Sequence, residues 1–158
     1  MKVKERLREL GIELPPVQKP IASYVPAVKV AAFVFSSGQG PLVGGKPKYT
    51  GRLGDELTLD QGYEAARICA LNCLAAINAE AGTLDDVERV VKVLGFVSSA
   101  QGFTEQSQVV NGASDLLVEI FGERGKHARS AVGVNVLPLN IPVEVEMIVK
   151  LTKGVSKE

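Results

Sequence analysis

The sequence predicts an α+β fold in which two long helices cover one face of a mixed β-sheet. Three observations lead there. Residues 59–81 and 104–121 each carry apolar side chains at helical spacing. Five shorter segments are apolar or alternating and have strand length. The order is two strands, a long helix, a strand, a helix, then two strands, so both helices can pack on one side of a shared sheet. The other side is then bare in a single chain. Its expected residues are apolar, and association with further copies is the simplest way to cover them.

The elements follow in order. Val3, Leu7 and Leu10 recur at helical spacing among charges and Gly11 follows, which predicts a short amphipathic helix with a glycine stop. Pro15-Pro16 forces an extended linker. Residues 23–39 read as two strands, the second spanning 30–37. Six glycines between Gly38 and Gly54 mark a loop, with a hairpin turning at Gly44-Gly45. Thr58 and Gln61 form a capping box, and Asp60 suits the positive end of the helix it opens. Leu59, Tyr63, Ala66, Ala70, Leu74, Ile77 and Ala81 make one stripe of that helix; Ala65 and Ala76 on its other face allow close packing on a sheet. Residues 83–86 are turn-like, and 89–99 read as a strand. The second helix starts near Thr104, carries Val110, Ala113, Leu117, Ile120 and Phe121 on its apolar face, and closes at Gly122. Residues 128–137 alternate as a strand until Pro138 breaks it. Residues 143–149 form the last strand, and 150–158 read as a polar, frayed tail.

A chain of 158 residues suits one domain, here 1–158, with 1–16 as an N-terminal helix and linker extension. Eighteen basic and eighteen acidic residues cancel, leaving no global field to attract phosphate backbones; this weighs against a nucleic-acid partner. Cys69 and Cys73 lie four apart on one helical face, which fits a reducing, cytoplasmic compartment rather than a disulfide framework. A zinc site needs more ligands, and the only histidine is His127, so packed thiols and no metal are expected. The first residues carry no signal-peptide pattern, and no stretch approaches the roughly 20 apolar residues of a membrane span.

Few residues stand out as chemistry. Gly45-Lys46 is followed by Pro47 and matches no phosphate-binding loop. Glu144 and Glu146, two apart on a strand, share a face; such pairs are more often a solvated strand face than a catalytic pair. Arg129 opens a strand and offers a planar fork for a carboxylate, or for an ordinary ion pair. His127 reads as a turn residue bordering a site, and no serine or cysteine nucleophile is recognisable by spacing.

Four ordered landmarks bring a family into view. They are Val34-Phe35-Ser36-Ser37-Gly38-Gln39, Asn111 in the second helix, Ala128-Arg129-Ser130-Ala131-Val132, and Val143-Glu144-Val145-Glu146, with Tyr24-Val25 upstream. In these the chain resembles the reactive intermediate deaminase (Rid) family, also named endoribonuclease L-PSP. The likeness covers nearly everything beyond the first fifteen residues. The opening segment and the Gly-rich loop are similar to a longer subgroup of it.

The resemblance implies a chorismate-mutase-like subunit and a homotrimer with clefts between neighbours. It implies hydrolysis of enamines and imines derived from amino acids, releasing ammonia and a 2-keto acid without a cofactor. By position, Arg129 would hold the carboxylate of a small substrate, and Glu144 would position or activate the attacking water. Ser37 and Gly38 would present backbone groups to the substrate nitrogen, Tyr24 would form part of the wall, and Asn111 would shape the pocket. Three positions depart from the pattern: His127 stands where proline is common, Ala131 where some members have cysteine, and Gly133 where an acidic side chain occurs. Two other readings stay open, a non-catalytic module that binds a small carboxylate metabolite and, following the older name, a ribonuclease or translation inhibitor.

Overall fold

In the computed structural model, which describes residues 2–152, the elements are α1 (Val3–Glu9), β1 (Ala27–Val30), β2 (Phe33–Ser36), β3 (Leu42–Val43), β4 (Lys46–Pro47), α2 (Leu59–Ala81), β5 (Val87–Ser98), α3 (Gln106–Phe121), β6 (Ala128–Val134) and β7 (Val143–Leu151). Five strands form one mixed sheet in the order β1-β2-β7-β5-β6. All neighbours are antiparallel except β5 and β6, which run parallel because α3 carries the chain from one to the other.

The two long helices lie on one face of this sheet, as the patterning predicts. The capping box forms: the Gln61 amide donates to Thr58 Oγ1 at 3.3 Å and the Thr58 amide to Gln61 Oε1 at 2.9 Å. At the far end Gly82 takes φ 84°, and its amide caps Asn78 at 2.9 Å. The small residues of α2 let it approach β7 closely: the buried thiols of Cys69 and Cys73 reach the Val143 and Val145 carbonyls at 3.4 and 3.1 Å. A Cβ on Gly112 of α3 would lie 1.9 Å from the Tyr63 carbonyl oxygen of α2, so glycine there sets how near the helices come. On β7, Val143, Val145, Met147 and Val149 point into the core, while Glu144, Glu146, Ile148 and Lys150 point to the other face.

That other face is apolar and open. Val28, Val30, Phe33, Phe35 and Val132 are all exposed large hydrophobics. The register places Val28 opposite Phe35 and Val30 opposite Phe33.

Three boundaries differ from the sequence reading. Val30 ends β1 rather than opening the next strand, because Ala31 turns the chain with φ 52°. The strand expected over 128–137 stops at Val134, where its partner β5 ends in the register Ser98–Val134. The tail expected from 150 begins later: Lys150 and Leu151 belong to β7, Leu151 is buried, and its amide donates to the Ala32 carbonyl at 2.7 Å. Residues 153–158 lie outside the described residues.

Candidate active site

The expected site residues gather in two places. Tyr24, Ser37, Gly38 and Glu144 line one open cavity of about 530 Å³, together with Glu146 and Leu139. Arg129 and Asn111 lie elsewhere, at the β6 edge of the sheet.

The first cluster is built where β2 ends against β7. Gln39 and Val145 exchange both backbone hydrogen bonds, at 2.8 and 3.0 Å, which fixes Gly38 beside Glu144. A Cβ on Gly38 would sit 2.2 Å from Glu144 Oε1, so glycine lets the carboxyl come up against the backbone and a larger residue would displace it. Glu144 is half-buried, and burial pushes its carboxyl above the ordinary range; the charge of Glu146 on the same face pushes it further. Ser37 lines the cavity and has partners of its own. Its amide is taken by the Pro26 carbonyl at 2.8 Å and its hydroxyl donates to the Val25 carbonyl at 2.5 Å, so Ser37 braces the segment carrying Tyr24. The linker after Pro15-Pro16, not α1, supplies the outer wall, through residues such as Lys19 and Ile21. Helix α1 docks elsewhere, with Arg6 Nε on the Glu119 carbonyl at 2.9 Å.

The second cluster is a clamp on one guanidinium. Arg129 Nη1 donates to Asn111 Oδ1 at 2.8 Å and to Ser114 Oγ at 3.0 Å, and Nη2 donates to the Ser107 carbonyl at 3.2 Å. These bonds use three of the five N–H groups and leave two without a partner among the described residues. His127 joins from the other side: its Nε2 lies 2.9 Å from Ser114 Oγ and its Nδ1 2.6 Å from the Gly125 carbonyl oxygen.

Neither cysteine is a nucleophile in this fold. Burial pushes the Cys73 thiol up to about 12 and the Cys69 thiol well above its ordinary value. Among the described residues, no three His, Cys, Asp or Glu side chains gather as metal ligands, and no helix is long and apolar enough to cross a membrane.

Residues 4–151 match the model of a family described as "YjgF/chorismate_mutase-like, putative endoribonuclease". The chain belongs to that family. The YjgF family is the one whose landmarks the sequence carries, and further comparisons agree. The chain is 48% identical over 153 residues to Protein TCP17 of Trypanosoma cruzi, covering 95% of this chain and 94% of that one. It is 33% identical over 139 residues to the 2-iminobutanoate/2-iminopropanoate deaminase of Dermatophagoides farinae, covering 87% and 93%. Among solved structures, protein Atu1372 of Agrobacterium tumefaciens superposes with a TM-score of 0.87 at 41% identity, covering 94% of this chain and 92% of that one.

Within this YjgF-family chain, Ser107 and Ser114 are contributors that the sequence reading passed over. Their signal was present. Ser107, Asn111 and Ser114 stand at i, i+4 and i+7, a stripe of small polar side chains beside the apolar face of the helix. The closeness of Gly38 to Glu144 had no local signal, since it depends on how β2 pairs with β7.

Proposed function

We propose that this chain is a hydrolytic deaminase of small 2-imino acids and their enamine tautomers, acting at sites completed between copies of itself. The observation that carries the reading is the clamped Arg129. A guanidinium held by three partners, with two N–H groups left over, is pre-organised for a carboxylate, and fixing it in advance lowers the entropy lost on binding. The similarity to an iminobutanoate deaminase supports the choice of substrate class.

The chemistry then falls to Glu144. With the imine already protonated on nitrogen, its carboxylate takes a proton from water as the oxygen adds to the iminium carbon, giving a neutral carbinolamine and a protonated Glu144. The same carboxyl returns that proton to nitrogen, the C–N bond breaks as the carbinolamine hydroxyl gives its proton through the Glu144 carboxylate to the departing ammonia, and ammonium and a 2-keto acid leave. A carboxyl whose proton affinity is raised toward neutrality is better matched to both transfers than an ordinary one. The Gly38 amide has no partner among the described residues and supplies a backbone donor beside the carboxyl.

The open apolar face and the separation of the clusters both favour assembly, and the family's homotrimer is the arrangement proposed. A second reading has one observation behind it. The Arg129 clamp is complete within one chain, so the protein can bind a carboxylate ligand without turning it over.

The test is release of ammonia and keto acid from freshly generated 2-iminobutanoate and 2-aminoacrylate, with wild type and Arg129→Ala side by side. The reading expects turnover in the wild type and a KM raised roughly 100-fold or more in the variant, as for loss of a paired charge-assisted hydrogen bond. Unchanged kinetics in Arg129→Ala would remove its role. No turnover, with saturable binding of 2-oxobutanoate, would favour the binding module.

A further inference from the structure

His127 is the one titratable side chain in the Arg129 cluster that the proposed chemistry leaves unused. Its bonding pattern has one consistent reading. The Gly125 carbonyl oxygen, 2.6 Å away, can only accept, so Nδ1 carries the ring proton. In the neutral ring Nε2 is then an acceptor, and the Ser114 hydroxyl 2.9 Å away must be its donor. With its proton committed to His127, Ser114 Oγ turns a lone pair to Arg129 Nη1, which donates to it at 3.0 Å. Donors and acceptors alternate without conflict from Arg129 through Ser114 and His127 to Gly125. Asn111 Oδ1 holds the other Nη1 hydrogen at 2.8 Å, so Ser114 and Asn111 together fix the plane of the guanidinium.

We infer that His127 is a positioning residue for Arg129, acting through Ser114: by accepting the Ser114 hydroxyl proton it orients that oxygen as an acceptor and sets the guanidinium for a substrate carboxylate. This rests on the reading of Arg129 as the carboxylate-binding residue. A proline at this position, common in the family pattern, has no side-chain acceptor to offer Ser114. Burial, the largest influence on the ring, disfavours its charged form; the Gly125 carbonyl works against this, and the nearby Arg129 charge works with it. The ring is thus kept neutral at neutral pH, the form the relay requires.

The two ring nitrogens can be replaced separately. In His127→Asn the amide keeps a donor near the Nδ1 position for Gly125 and loses the acceptor for Ser114. In His127→Gln the longer side chain places an acceptor near the Nε2 position and gives up the Gly125 bond. With 2-iminobutanoate as substrate and 2-oxobutanoate as a binding probe, His127→Asn should raise KM and Kd on the order of tenfold, the loss of one hydrogen bond in a charged network, with kcat changed far less. His127→Gln should restore most of that loss, and in a Ser114→Ala background the two variants should become equal. A role confined to bracing the turn at Gly125 gives the reverse order, with Asn tolerated and Gln impaired, and that result overturns the inference. Equal effects of both variants in the Ser114 background and in the wild type also overturn it. Melting temperatures separate misfolding from mispositioning; if His127→Asn does not fold, Ser114→Ala alone must raise KM or the inference fails. Arg129→Ala run alongside tells the two readings apart. If it leaves KM and Kd unchanged, the carboxylate reading and this one fall together. If it raises them while the His127 variants do not, only the positioning role falls.

Discussion

Arg129 and Glu144 lie on opposite faces of one sheet. Arg129 is in register with Val93, whose side chain faces the helices, and Glu144 with Phe96, whose side chain faces away from them. Strand β5 stands between them, and the spacing and rise of the strands put their backbones roughly 14 Å apart. The carboxylate and imine carbon of a 2-imino acid are directly bonded. Within one chain these two side chains therefore cannot reach the same substrate; if both serve it, as proposed, a second copy brings one cluster to the other.

If the open face is where copies meet, Phe35 is at its centre. It is flanked by Val28 and Ile148 on neighbouring strands. Phe35→Glu places a charge in that contact without touching the core. The expected result is a monomer by light scattering, with far-ultraviolet circular dichroism preserved and deaminase activity lost. An active monomer would remove the need for assembly.

Glu144 supplies a prediction with two readouts. Glu144→Gln should lower kcat by about 10²- to 10⁴-fold, the usual contribution of a general base. In the wild type, kcat/KM should fall on the acid side through a value above the ordinary carboxyl range, because the base must be ionised and its proton is held more tightly than usual. Stability runs the other way. The folded chain binds this proton more tightly than the unfolded one, so wild-type stability declines as pH rises through the folded value. Glu144→Gln abolishes that loss, and its Tm should exceed the wild-type Tm at neutral pH, with the gap closing in acid.

Gly38 tests the geometry around the carboxyl. In Gly38→Ala the new methyl occupies the place of Glu144 Oε1. The carboxyl must swing away, and a displacement of about 1 Å at a reacting group costs up to about 100-fold in rate. Steady-state kinetics should show the loss in kcat, with KM for the carboxylate substrate little changed, since the new methyl meets the Glu144 side chain and not the Arg129 clamp. A large KM effect with kcat intact would contradict the placement of Glu144 at the chemistry.

Much of this was legible in the residues, and the part that was not has a common cause. Helix α2 announced itself through the Thr58–Gln61 box, its apolar stripe and Gly82, all local signals. The boundary errors at Val30 and Val134 arose where a partner strand or a left-handed Ala31, not the local pattern, ends the element. Glu144 and Glu146 could be read as one face of a strand because parity along a strand is a local property. That Arg129 falls on the other face could not, because it depends on the register between β5, β6 and β7. His127 was visible only as a turn residue. Its part in the Arg129 cluster depends on α3 bringing Ser114 to the start of β6.

The most direct measurement is subunit complementation. Arg129→Ala and Glu144→Gln chains, each expected to keep about a hundredth or less of wild-type kcat/KM, are co-refolded from denaturant in equal amounts and assayed with 2-iminobutanoate below the wild-type KM. If one copy supplies Arg129 and its neighbour Glu144, mixed trimers regain intact sites, and random assembly returns about a quarter of wild-type turnover. If both residues serve a site within one chain, every site in the mixture lacks one of them, and activity stays at the level of the separate variants.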